Sequence, residues 1–99
     1  MGCWSEYARA VRFAWDPDKA RKNLARHRVS FEEAASAILD PFALEVPDLQ
    51  DATRMIVIGM SGRHRVLFVV TLIVEDDVVR IISARRASRL QRKRYEETS

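Results

Sequence analysis

The chain has 99 residues, 47% of them hydrophobic and 31% charged, with a formal net charge of +3. That is the length of one domain, too apolar for a disordered chain, and the single cysteine, Cys3, excludes an internal disulfide. No run approaches the roughly 18 apolar residues of a membrane span, and the N-terminus lacks the apolar core of a signal peptide, so a soluble cytoplasmic protein with no membrane contact is expected.

Met1 to Arg12 has no clear period and is expected to be a lead, flexible or an added helical turn, before a single domain over 13–99. Val11 to Trp15 alternates as a short strand. Asp16-Pro17-Asp18 is a helix start, with a capping carboxylate, proline at the first helical position and an acid in the first turn. This helix should run to about His27 with a thin apolar face made of Ala20, Leu24 and the stems of Asn23 and His27. Ser30-Phe31-Glu32-Glu33 reads as a capping box, and Phe31, Ala34, Ala35 and Ile38 form a core-facing stripe before Asp40-Pro41 ends the second helix. Phe42, Leu44 and Val46 then alternate as a strand. Arg54 to Met60, Arg65 to Val74 and Val78 to Ala84 follow as three strands with short connections, which makes an antiparallel meander. Ser88 and Gln91 form a second capping-box pair that starts a basic helix ending near Glu97. Helices segregated before and after the strands give an α+β class: a curved antiparallel sheet of four to five strands, two N-terminal helices and a C-terminal one.

Charge is concentrated in one place. Between Arg85 and Arg94 six of ten residues are Lys or Arg and none is acidic, so this segment carries +6 and the rest of the chain sums to −3. A basic patch where an apolar strand runs into a helix favours a polyanion partner, most often nucleic acid. Arg63, Arg65, Arg80, Arg85 and Arg86 fall at strand ends or in that junction, and the planar guanidinium fork suits phosphate. Arg80 interrupts an apolar strand, so it needs either solvent on its face or a partner. Its side depends on register. If Val74 pairs with Val78, Arg80 faces Leu72; if Val74 pairs with Asp77, it faces Thr71 and shares a side with Arg65. Arg89, Arg92, Lys93 and Arg94 read as a solvated helix face first and as phosphate contacts second. Tyr95 either docks the last helix on the core or serves in proton transfer or base stacking. Glu32-Glu33 and Asp76-Asp77 read as solvated pairs. His27 and His64 are the only histidines and form no metal-ligand spacing, so no metal or other cofactor is expected. No phosphate-binding glycine loop or nucleophile elbow occurs.

Several motifs together resemble a known family. Phe13-x-Trp15-Asp16-Pro17-x-Lys19, Asn23-Leu24-x-x-His27, Val29-Ser30-Phe31-Glu32-Glu33-Ala34, Asp40-Pro41, Ile58-Gly59-Met60-Ser61, Arg80 through Ser88, and Arg94-Tyr95-Glu96 resemble, in this order, the BrnT-type ribonuclease toxins. The resemblance spans about 13–97. It implies a RelE-like fold, a toxin of a type II toxin–antitoxin pair that inhibits translation and growth, metal-free cleavage of an RNA substrate, and a ribbon-helix-helix antitoxin, through which alone operator DNA would be bound. The chain departs from the family pattern at Ala14, Arg28, Thr71 and Gln91, where Glu, Gly, His or Tyr, and Glu are frequent.

The mechanism this implies is transesterification: the 2′-hydroxyl attacks the adjacent phosphate and leaves a cyclic phosphate. Arg80 and Arg85 would stabilise the phosphorane, Arg63 or Arg65 would hold flanking phosphates, and Tyr95 would move a proton or stack a base. Arg86, Arg89, Arg92 and Lys93 would grip RNA. Two rivals are a toxin-like module that binds RNA without cutting, and an interaction protein whose basic helix docks an acidic antitoxin segment.

Overall fold

The computed structural model describes residues 12–75 and 77–98. Eight elements follow in the order β1 (Arg12–Ala14), α1 (Pro17–His27), α2 (Phe31–Ile38), β2 (Leu44–Pro47), β3 (Arg54–Met60), β4 (Val66–Glu75), β5 (Val78–Arg86) and α3 (Arg89–Thr98). The class is α+β, as expected. The lead expected over 1–12 lies outside the described residues except for Arg12, which is paired with Asp77 at 3.2 Å.

Local chemistry fixes the helix starts. The Asp16 side chain accepts the Asp18 N–H, and Ser30 Oγ accepts the Glu33 N–H at 3.0 Å. At Ser88 the box is reciprocal: Ser88 Oγ accepts the Gln91 N–H and Gln91 Oε1 accepts the Ser88 N–H at 2.9 Å. The box at Ser30 is only half made, because the Glu33 carboxylate turns away to other partners. Helix α1 closes on Arg28 in the left-handed region, φ 59°.

The sheet order is β1-β5-β4-β3-β2, and it departs from the antiparallel expectation at one edge. Strands β2 to β5 are antiparallel neighbours, whereas β1 runs parallel to β5, with Ala14 beside Arg80. The crossover through both N-terminal helices and three strands is what lets the first strand lie along the last in the same direction.

One face of this sheet carries the main core. Val29, Phe31, Ala34 and Ala37 from the helical half pack on Leu67, Val69, Ile81 and Ala84, with Phe13 and Trp15 against them. Helix α1 docks through Ala20 and the buried Asn23; Leu24, expected on its apolar face, is 48% exposed. Strand β3 touches α2 at Gly59, where an added Cβ would lie 2.3 Å from the Ala37 carbonyl oxygen, so only glycine admits this approach. On the other face α3 covers one end, where buried Tyr95 meets Ile58 and Val66.

Strand β5 contains a bulge that controls which residues share a face. Thr71 pairs with Ile81 and Val70 with Ser83, leaving Ile82 as an extra residue. Ile81 and Ala84, three apart, therefore both face the helices and are both buried. Arg80 and Arg85, five apart, both face the other way, opposite Leu72 and Phe68. Without the extra residue a five-residue separation would put them on opposite faces. Arg80 stands against Leu72, as in the first of the two registers open from the sequence, but Val78 pairs with Glu75 and not with Val74, because a second irregularity lies between Ile73 and Glu75.

Candidate active site

The face of the sheet away from the two N-terminal helices is half-buried where α3 does not reach. Phe68, Val70 and Leu72 from β4, Ile56 from β3, and Arg80, Ser83 and Arg85 from β5 all have intermediate exposure there. Arg85 is the best-defined side chain on it. Its guanidinium carbon lies 4.0 Å from the centre of the Phe68 ring, a cation–π stack. Its Nη1 donates to Gln91 Oε1 at 3.2 Å and to the Arg86 carbonyl at 3.0 Å. The capping box that starts α3 thus also orients Arg85, since the same Gln91 oxygen serves both. Among the described residues no carboxylate pairs with Arg85, and Nε and Nη2 have no protein acceptor. Arg80 stands about 13 Å away, four residues along β4 at roughly 3.3 Å each. Among the described residues it too has no ion pair.

Arg54 joins this face at the far end, across Leu72 from Arg80. It is paired with Asp51 at 3.3 Å in an exposed position. Nothing local to Arg54 singles it out, because its relation to Arg80 exists only through two strand pairings.

The other expected site residues lie elsewhere. Arg65 is on the helix side, where its guanidinium donates to both Glu33 oxygens and to the Arg28 carbonyl. Glu33 is buried and also accepts from Ser61 Oγ at 2.7 Å. The Arg65 hydrogen bonds, foremost, and the Ser61 bond hold its carboxyl below the ordinary glutamate range despite burial. This corrects the reading of Glu32-Glu33 as a solvated pair: only Glu32 is exposed, and Glu33 anchors the β3–β4 turn to α2. Arg63 is exposed on that turn, beside His64, whose φ is 63°. Arg86, one residue past Arg85, points to the opposite side and, with His64, Arg65 and Arg92, lines a separate cleft of about 460 Å³ at the end of the sheet. Arg89 and Lys93 are exposed on α3.

Tyr95 is 5% exposed and donates its hydroxyl to Asp40 Oδ2. Asp40 also accepts from the Met60 and Phe42 N–H groups at 2.8 and 3.0 Å. Burial pushes this carboxyl up, but the three bonds together hold it below the ordinary aspartate range. Burial and the adjacent carboxylate push the Tyr95 hydroxyl up to about 12. Thr71, at the position where the family often has a ring, is buried on the helix side and donates to the Met55 carbonyl at 2.8 Å. Among the described residues no three His, Cys, Asp or Glu side chains gather as metal ligands. No helix among them is long and apolar enough to cross a membrane.

The sequence model of a family described as "Ribonuclease toxin, BrnT, of type II toxin-antitoxin system" matches residues 15–90. The crystal structure of the Brucella abortus ribonuclease toxin BrnT is similar to this fold, with a TM-score of 0.67 and 26% sequence identity, covering 80% of this chain and 99% of that one. No curated protein sequence matches the chain.

Proposed function

This chain belongs to the BrnT family of ribonuclease toxins of type II toxin–antitoxin systems, and from that premise we propose that it cleaves RNA without a metal, on the open sheet face that carries Arg80 and Arg85. Membership implies an antitoxin partner. The reading adds that this antitoxin is a ribbon-helix-helix protein, that operator DNA is bound only through it, and that the toxin acts in the cytoplasm.

In this reading the 2′-hydroxyl gives its proton to solvent and attacks in line, the P–O5′ bond breaks as the 2′,3′-cyclic phosphate forms, the 5′-oxygen takes a proton from solvent, and charge accumulates on the phosphorane oxygens on the way. The observation that carries it is the state of Arg85. Phe68 and Gln91 fix its plane, yet no described carboxylate neutralises it, so the edge formed by Nε and Nη2 remains for phosphate. Gln91 orients without cancelling charge. Because Arg80 is about 13 Å from Arg85 along the strand, it meets a neighbouring phosphate and helps hold the strand in line. Arg63 and the α3 cations Arg89, Arg92 and Lys93 contribute field at the rim, with Arg86 beside Arg92 in the end cleft. Arg65 and Tyr95 act as positioning residues, because each is committed to a buried or half-buried carboxylate. A hydroxyl held near 12 is a poor proton acceptor at neutral pH.

The test is cleavage of single-stranded RNA in excess EDTA, with end-group analysis for the cyclic phosphate. Arg85→Ala should lose on the order of 100- to 1,000-fold in rate, the usual loss for one such donor. Undiminished cleavage by a folded Arg85→Ala protein would overturn the assignment. A second reading, a toxin-like protein that binds RNA without cutting it, is favoured by one observation: the side chain hydrogen-bonded to Arg85 is the neutral amide of Gln91, and among the described residues no acid or imidazole is bonded to Arg85. It predicts salt-sensitive RNA binding and no cyclic phosphate.

A further inference from the structure

Strand β1 ends at Ala14, beside Arg80, so β5 beyond that point has no strand on its outer side. Helix α1 fills the space instead. Buried Asn23 takes the place of a paired strand there: its Nδ2 donates to the Ala84 carbonyl and its Oδ1 accepts the Ala84 N–H. This pairing sets α1 at a fixed distance from the edge and leaves a groove of about 450 Å³, floored by Ile82 and Ser83 and walled by Lys19, Lys22 and Arg26. The three cations recur at i, i+3 and i+7, so they line one side of α1. All three are exposed, no acid lines the groove, and among the described residues none of the three forms an ion pair. The row is about 10 Å long at 1.5 Å per residue, the axial length of about three stacked nucleotides.

The groove is continuous with the open face. Ser83, in its floor, pairs with Val70 on β4 and stands between Arg80 and Arg85 on that face. An RNA strand lying across Arg80 and Arg85 therefore has two ways off the sheet: toward α3 or over the β5 edge into this groove. We propose that single-stranded RNA leaves over the β5 edge, and that Lys19, Lys22 and Arg26 bind the phosphates flanking the cleavage site. The groove favours RNA over an acidic protein segment because its cations form an evenly spaced row whose floor opens directly onto the arginines assigned to the phosphate. The inference rests on the reading of Arg80 and Arg85 given above.

The test compares the full chain with a Lys19→Gln, Lys22→Gln, Arg26→Gln variant. Because the three side chains are exposed, the variant should unfold in urea as the parent does. Binding is measured with 2′-O-methyl RNA, which blocks attack, as a trinucleotide and as an oligonucleotide of about 12 residues, across a salt series. The variant should bind the trinucleotide like the parent. It should bind the longer strand on the order of tenfold more weakly at low salt, with the slope of log K against log salt reduced by about 2, roughly 0.7 per phosphate contact. An unchanged slope and affinity for the longer strand overturns the proposal. Unchanged RNA binding with loss of neutralisation by the antitoxin overturns it too, and assigns the groove to protein docking. Arg85→Ala, assayed for cleavage alongside, separates the two levels. If that variant cleaves normally, the placement of the active site fails, whatever the groove does. If it is inactive while the triple variant binds long RNA normally, only the groove proposal fails.

Discussion

Replacing Asn23 with Ala removes the pairing that holds α1 against the last strand. Asn23 is 7% exposed and makes three hydrogen bonds: Nδ2 to the Val29 carbonyl at 2.9 Å, Nδ2 to the Ala84 carbonyl at 2.8 Å, and the Ala84 N–H to Oδ1 at 3.1 Å. The substitution leaves two carbonyls and one N–H buried without partners. At about 1 kcal/mol for each bond lost, the expected cost is about 3 kcal/mol. That is a large part of the roughly 5–15 kcal/mol that stabilises a domain. With a urea slope of about 1.5 kcal/mol per molar, the midpoint should fall by about 2 M with the slope unchanged. Asn23→Asp should cost at least as much, because it keeps the acceptor for Ala84 but sets a carboxylate against two carbonyl oxygens. A midpoint shift in Asn23→Ala corresponding to less than about 1 kcal/mol would refute the idea that this side chain stands in for a strand.

Gly59→Ala should destabilise by about 1–3 kcal/mol in the same assay, because its methyl group would meet the Ala37 carbonyl and push α2 off β3. Tyr95→Phe should leave RNA cleavage largely intact if Tyr95 only positions α3, and a rate loss near that of Arg85→Ala would contradict this. The same variant tests a pH effect. The hydroxyl is raised from its ordinary 10 to about 12 in the folded chain, so its contribution is present below pH 10 and is lost as pH rises toward 12. The parent should therefore lose on the order of 2 kcal/mol across that alkaline window, and Tyr95→Phe should lose less. Arg28→Gly should raise the stability by about 0.5–1 kcal/mol, read as a higher urea midpoint, since glycine adopts φ 59° without the steric penalty and the backbone carbonyl at this position remains to accept from Arg65.

What could be read in the sequence was what neighbouring residues decide among themselves. Asp16-Pro17, Ser30 with the Glu33 N–H, and Ser88 with Gln91 are local rules, and each starts its helix where the chain said it would. Relations across long stretches of chain were not legible. Glu32 and Glu33 look alike as neighbours, and only the folding of Arg65, 32 positions away, distinguishes the buried one. Asn23 looked like a stem on a thin apolar face because its partner, Ala84, is 61 positions distant. The parallel pairing of β1 with β5 depends on a crossover through most of the chain, and no hairpin signal announces it. The candidate arginines were visible as a basic cluster, but not their division between two sides of the sheet. That division follows from register and from a bulge at Ile82 that no glycine or proline marks.

The bulge gives the arginine pair an unusual kind of vulnerability. Arg80 and Arg85 meet on one surface because of how many residues separate them, and hardly because of which residues those are. Exchanging Ile82 for another strand-forming side chain keeps the count and so keeps the pair together. Deleting it removes the unpaired residue and leaves the pairings on either side unchanged, Ile81 with Thr71 and Ser83 with Val70, so Arg85 stays over Phe68 and the pair, now four residues apart, stays on one face. The site is therefore tolerant of spelling changes in this segment and even of losing the extra residue, and intolerant of regular pairing at the present length. A change that kept every residue but straightened the bulge would instead turn Arg85 toward the helices, away from the Gln91 that orients it.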